Sequence, residues 1–172
     1  MVSLVRAEIH IRYEGILMPD IKTDDIEMLH AAIKEQYHWD MILMLHDFFV
    51  AEGFSFKINP KGKIAFSYKS RKEFLLWRDS SIKVRLLHIE KYEDMLIDCT
   101  DNVKNTIINA LDCHNCGADC NDLIDFTYNG KKYSKCNPKK GYINFEFLNL
   151  LKDDVRSIIE LSKHEIPYYK RT

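Results

Sequence analysis

Residues 113–136 read CHNCGADCNDLIDFTYNGKKYSKC, and this stretch decides how the rest of the chain is interpreted. It holds four of the five cysteines, in the spacing Cys-x2-Cys-x3-Cys-x15-Cys. Structural zinc sites use similar patterns, in which a short turn supplies two ligands and a hairpin returns another. The sequence therefore predicts a tetrathiolate metal site formed by Cys113, Cys116, Cys120 and Cys136.

A tight β-hairpin is predicted at Asn129-Gly130, because both central residues of a type I′ turn need positive φ. A two-residue loop there fixes the register, so that Leu123 faces Cys136. Leu123 follows Cys120 by three residues, a separation of at most about 10 Å, so the four sulfurs can converge on one ion. The same register pairs Tyr128 with Lys131 and Phe126 with Tyr133.

Zinc is the metal expected, one ion per chain, because it is borderline-soft and accepts tetrahedral sulfur ligands. A closed sphere of four thiolates leaves no water to activate, so the ion would be structural. The alternatives are an iron–sulfur cluster, redox-active thiols or no bound metal. The redox alternative is opposed by a helix predicted to end just before Cys113, since the negative end of its dipole would raise the pKa of a thiol there.

The chain resembles a group of small uncharacterised bacterial proteins, typically clostridial, in Cys113-His-Asn-Cys116-Gly-Ala-Asp-Cys120, Ile124, Phe126, Gly130-Lys131-Lys132-Tyr133 and Cys136. These share a cysteine knuckle, a β-segment, Gly-Lys-x-aromatic, a final cysteine and a terminal helix. The interval from Gly130 to Cys136 is one residue shorter here. The resemblance implies a metal-binding protein and supplies no reaction.

The composition predicts one compact domain over residues 1–172, with the knuckle and hairpin at 113–136. The chain is 46% hydrophobic, enough for one buried core. Its 25 Lys and Arg nearly balance 26 Asp and Glu, so no global field draws it to nucleic acid or to an anionic membrane. No stretch approaches the length of a membrane span, and a cytoplasmic location is expected, where clustered thiols favour metal over disulfides.

The predicted fold is α+β, with antiparallel hairpins packed with several helices. Apolar periodicity predicts a strand over 2–13, a helix over 24–37 and a buried helix over 39–50 capped by Gly53. Further predictions are a hairpin over 54–68 turning at Asn59-Pro60-Lys61-Gly62, a strand over 82–86, a short helix capped by Thr100, and a helix over about 150–163 capped by Asn149.

An internal similarity links residues 57–66 with residues 135–145, since both contain Asn-Pro-Lys followed by glycine. A duplicated hairpin would explain it, and so would convergent turn chemistry, because such turns need these residues. Both segments are predicted to be β.

The leading functional interpretation is a metal-stapled binding or regulatory module, with a small molecule or a protein as its unidentified partner. The alternative is a zinc-ribbon-like module that contacts nucleic acid, because five lysines without an acid crowd the hairpin beside tyrosines. A solvated edge strand protected by lysines explains the same pattern. These lysines are Lys131, Lys132, Lys135, Lys139 and Lys140.

An enzymatic role has little support, since the sequence contains no glycine-rich phosphate loop, no His-Glu-x-x-His and no nucleophile elbow. The only candidate catalytic residues are His38, Asp40, His46 and Asp47 around the buried helix. Structural roles explain these residues as well. Cys99, which follows an apolar run, is predicted to be a small buried hydrophobe.

Overall fold

The computed structural model describes residues 36–59, 62–69, 73–78, 81–110, 123–136 and 145–171. The first helix among them, α1, spans Gln36–Ala51 and confirms the buried helix predicted over 39–50. The predicted strand over 2–13 lies outside the described residues. So does the helix predicted over 24–37, apart from its last two residues, which belong to α1.

Helix α1 ends where the sequence predicts, at a glycine cap. Gly53 has φ +81°, a region that L side chains avoid. The backbone N–H of Gly53 donates to Val50 O at 2.9 Å, and that of Phe54 donates to Phe49 O at 2.9 Å. This pair of bonds is a Schellman motif, which satisfies carbonyls left open at the helix end and directs the chain into the first strand.

A five-stranded antiparallel sheet follows, in the order β1-β2-β3-β4-β7. Strand β3 is not predicted from the sequence, because a register shift against β2 leaves Phe74 unpaired, and the adjacent buried Phe74 and Leu75 interrupt the alternation that continues to Arg78. The strands are β1 (Ser55–Ile58), β2 (Ile64–Ser67), β3 (Glu73–Arg78), β4 (Ser81–Val84) and β7 (Phe145–Phe147).

The predicted hairpin over 54–68 is confirmed by β1 and β2, in which Ile58 faces Ile64. Its turn closes with a 2.9 Å bond from the Gly62 N–H to Asn59 O. The side chain of Asn59 also accepts from the Lys63 N–H at 3.0 Å. Gly62 has φ +73°, as expected for a left-handed residue after such a turn.

Two short 3₁₀ turns, Ile89–Lys91 and Glu93–Asp98, lead from β4 to helix α2, which spans Asp101–Ile108. The cap predicted at Thr100 is confirmed, since its side chain accepts from the Val103 N–H at 3.4 Å. Val103 and Ile107 are the buried residues of α2.

The second hairpin consists of β5 (Leu123–Tyr128) and β6 (Lys131–Cys136) and forms a two-stranded sheet. Its register is the predicted one, with Leu123 opposite Cys136, and the other two predicted pairs are also present. Asn129 and Gly130 have φ of +49° and +72°, the positive values that a type I′ turn requires.

The last helix, α3, differs from its prediction at both ends, since it spans Lys152–Arg171. Asn149 does not cap it and instead has φ +52°. The cap is supplied by Asp154, which accepts from the Leu151 N–H at 2.8 Å. The helix continues through Pro167 because Tyr169 beyond it is buried and stacks on Phe54 with ring centroids 5.9 Å apart.

The internal similarity does not correspond to two equivalent hairpins. Strands β1 and β2 pair with each other, but β6 pairs with β5 and β7 pairs with β4, in separate sheets. Shared turn residues are therefore the better explanation.

One buried apolar cluster joins these parts. Phe49 of α1 contacts Phe54, Phe66 and Phe74 with ring centroids 5.0 to 5.5 Å apart. Ile124 and Phe126 of β5 belong to the same cluster, so the second hairpin shares the core of the large sheet. Among the described residues, no helix combines the length and the apolar character needed to cross a membrane.

Candidate functional site

Of the four predicted metal ligands, the described residues include only Cys136. Cys113, Cys116 and Cys120 lie outside them. Within the part of the chain that the structure describes, no three His, Cys, Asp or Glu side chains are grouped to hold a metal ion. The tetrathiolate site therefore remains a prediction. The described hairpin shows the position of one proposed ligand, Cys136.

Cys136 is half-buried at the last position of β6, opposite Leu123, which is 45% exposed. The alternation of β6 puts Cys136 on the same face as Ser134, away from buried Lys135. On that face, the Ser134 hydroxyl donates to Asp125 across the strands at 2.5 Å, and Lys132 lies 3.2 Å from the same carboxylate. The Ser134 hydrogen bond, followed by the Lys132 interactions, lowers the pKa of Asp125.

Of the five lysines considered for nucleic-acid contact, the three that the structure describes do not form one surface. Lys131 and Lys135 alternate with Lys132, so they project from opposite faces of β6. Lys132 pairs with Asp125, and Lys135 is only 4% exposed and donates to Ala110 O at 3.0 Å. Lys139 and Lys140 lie outside the described residues. Among the three described lysines, Lys131 is the exposed one that forms none of the described ion pairs.

A cleft of about 510 Å³ lies between the end of α2 and strand β6. It is lined by consecutive residues of β6 that alternate between the two faces of the hairpin, so it follows the edge of β6 that does not pair with β5. The lining residues are Ile108, Asn109, Ala110, Lys131, Lys132, Tyr133, Ser134 and Lys135.

The four polar residues around α1 are separately accommodated. The ring of His38 lies edge-on to Trp77 at 5.6 Å, and Asp40 forms an ion pair with Lys152. His46 is buried against Phe56, with ring centroids 4.9 Å apart, and its Nδ1 lies 3.4 Å from Asp47. These contacts are structural, and they supply no shared catalytic arrangement.

Cys99 is buried, as predicted, at the end of the second 3₁₀ turn. Its thiol donates to Met95 O at 3.4 Å. Burial raises the pKa of Cys99 from 9.0 to about 11. A thiol with so high a pKa is a poor nucleophile near neutral pH.

A buried polar cluster, which the sequence pattern did not indicate, surrounds Glu165 of α3. This carboxylate is 1% exposed and accepts from the His88 N–H at 3.0 Å and from the Tyr92 hydroxyl at 2.6 Å. The Nδ1 of His88 lies 2.7 Å from it. Tyr168 stacks on His88 and His164 stacks on Tyr92. The sequence signal for this cluster is that Glu165 occupies a position on the apolar face of the helix, four residues after Leu161 and four before Tyr169.

Within the Glu165 cluster, burial is the first cause that raises the pKa of Tyr92 well above 10.0, and the charge and hydrogen bond of Glu165 follow. Three donors around one carboxylate compensate its removal from water. The cluster therefore fastens residues 88–92 to α3, and its visible role is structural.

Comparison of the chain with protein-family models, with curated proteins and with solved structures found no match.

Proposed function

We propose that this protein is a metal-stapled α+β binding or regulatory module in which Cys113, Cys116, Cys120 and Cys136 hold one structural Zn²⁺. The proposal includes no catalytic step.

The register of the second hairpin carries the proposal. Cys136 lies opposite Leu123, so the fourth ligand is across the hairpin from the residue that begins β5. Leu123 follows Cys120 by three positions, and that length of chain spans at most about 10 Å. This arrangement supports convergence of the knuckle and the hairpin end on one ion with sulfur distances of about 2.3 Å.

Helix polarity favours a metal over redox-active thiols. Helix α2 ends at Ile108, five positions before Cys113, so the chain enters the cysteine-bearing segment from the negative end of the helix dipole. A nearby negative potential opposes the thiolate that redox catalysis needs, whereas Zn²⁺ supplies its own positive charge.

The binding role is proposed for the open cleft of about 510 Å³ along the free edge of β6, the strand that ends at Cys136.

Elemental analysis tests the metal proposal on protein purified without added metal or chelator, together with thiol counting before and after denaturation. We expect about one zinc per chain. Zinc and stability should be lost together when Cys136 is changed to Ser, and Cys99→Ser should keep the zinc because Cys99 is outside the ligand set.

Metal-free protein with all four clustered thiols titrating freely would refute the proposal. Iron with sulfide would show that the cysteines hold an iron–sulfur cluster instead of zinc. Robust turnover abolished by a change in a polar side chain, with fold and metal retained, would refute its non-enzymatic part.

A further inference from the structure

Lys135 is a buried cation in a strand whose neighbouring lysines are exposed. Its side chain is 4% exposed, whereas Lys131 and Lys132 on the same strand are exposed. Removing an ammonium group from water is costly unless it is paired and hydrogen-bonded. Favourable contacts of the Lys135 ammonium must therefore compensate the cost of its burial.

One partner of this ammonium is the Ala110 carbonyl, which accepts from Lys135 Nζ at 3.0 Å. Ala110 follows the end of α2, so the cation lies where the helix dipole is negative. The ring of Tyr133 adds a second favourable contact, with Nζ 5.6 Å from its centroid.

The bond joins the two chain segments that carry the first and last cysteines. Ala110 precedes Cys113 by three residues, a reach of at most about 10 Å, and Lys135 directly precedes Cys136. The end of α2 lies beside the edge of β6 that does not pair with β5. One hydrogen bond thus closes a loop between residues 25 apart.

We infer that Lys135 is a positioning residue for the metal site, holding the chain before Cys113 beside Cys136 so that the thiols converge before the ion binds. The inference rests on the proposed zinc site and adds the residue that preorganises it. Residues that orient metal ligands without touching the metal commonly contribute about 10- to 100-fold to affinity.

The experiment compares zinc affinity, by chelator competition, and the Co²⁺ absorption spectrum for wild type, Lys135→Met and Lys135→Arg. We expect Lys135→Met to bind zinc about 10- to 100-fold more weakly and to give an altered Co²⁺ spectrum. Lys135→Arg keeps a cation and donors, so it should recover most of the affinity.

Two control variants separate positioning from general stability. Lys131→Met removes a lysine that also lies over Tyr133, at 5.1 Å, and should bind zinc like wild type. Phe126→Leu loosens the packing of the same hairpin and should lower the melting temperature with the Co²⁺ spectrum unchanged.

Equal zinc affinity and spectrum in Lys135→Met and wild type would overturn the inference while leaving the zinc site intact. An affinity loss that Phe126→Leu reproduces at equal loss of stability would also overturn it. Failure of wild type itself to bind zinc would overturn the proposed function together with the inference.

Discussion

The hydroxyl of Tyr92 donates a 2.6 Å hydrogen bond to Oε2 of Glu165, which lies 73 residues further along the chain. The same oxygen accepts from the His88 N–H at 3.0 Å. Both contacts fasten the segment after β4 to the last helix. Because Glu165 is almost completely buried, any change that leaves these donors without an acceptor should be costly.

Glu165→Ala should destabilise the protein by about 3 kcal/mol, since it removes a buried acceptor shared by several donors. Urea unfolding followed by circular dichroism measures the effect. Glu160→Ala on the same helix is the control: its carboxylate is exposed and pairs with Lys163, so we expect a change within about 0.5 kcal/mol. Equal losses in the two variants would contradict a special role for the buried carboxylate.

The stability contributed by Tyr92 should fall at alkaline pH. Burial and Glu165 raise its pKa well above 10.0, so the folded protein keeps a proton that the unfolded chain releases. This contribution is fully present below the unfolded pKa of about 10 and declines as pH rises above it.

The difference in unfolding free energy between wild type and Tyr92→Phe should therefore shrink from about pH 9 to about pH 11, measured by urea unfolding at each pH. A difference that stays constant over this range would show that Tyr92 ionises equally in both states.

Asp154→Ala should lower the free energy of unfolding by about 3 kcal/mol, because its buried carboxylate accepts hydrogen bonds at the N-terminal ends of both α2 and α3. It accepts from the Leu151 N–H before α3 and from Asn102 of α2 at 2.9 Å, and it also contacts the Thr100 hydroxyl. Chemical unfolding compares it with Asp153→Ala, whose exposed carboxylate should matter by about 0.5 kcal/mol. A small effect at both positions would show that the Asp154 carboxylate does not stabilise the two helix N-termini.

Cys99 should resist alkylation in the folded protein. Its pKa of about 11 leaves a thiolate fraction of about 10⁻⁴ at pH 7, and burial limits access further. Iodoacetamide labelling followed by peptide mass spectrometry should show at least about 100-fold slower reaction than in urea. Labelling at the denatured rate would mean that the Cys99 region opens readily.

The predictions from sequence succeed where neighbouring residues determine the backbone. Asn129-Gly130 specifies a turn with two positive φ angles, and the register of β5 and β6 follows from it. Gly53 and Thr100 are comparable, because each satisfies open groups at the end of the helix beside it. The position of Cys136 opposite Leu123 was predictable for this reason.

The errors arise where distant contacts decide. Pro167 lacks a backbone N–H and normally disfavours a helix interior, yet α3 continues through it because Ile166 and Tyr169 bury side chains against the core. Strand β3 alternates only from Leu75 to Arg78, because a register shift against β2 leaves Phe74 unpaired and puts two buried residues side by side. Neither outcome is visible in the local pattern.

By itself, the sequence determined the turns, the caps at Gly53 and Thr100, the register of the second hairpin and the cysteine spacing that predicts zinc, because these depend on residues a few positions apart. Only the tertiary structure decided that Glu165 receives Tyr92 and His88, and that Lys135 reaches Ala110. The physical reason is that a buried charge is stable only beside specific donors or acceptors, and folding supplies these from distant parts of the chain.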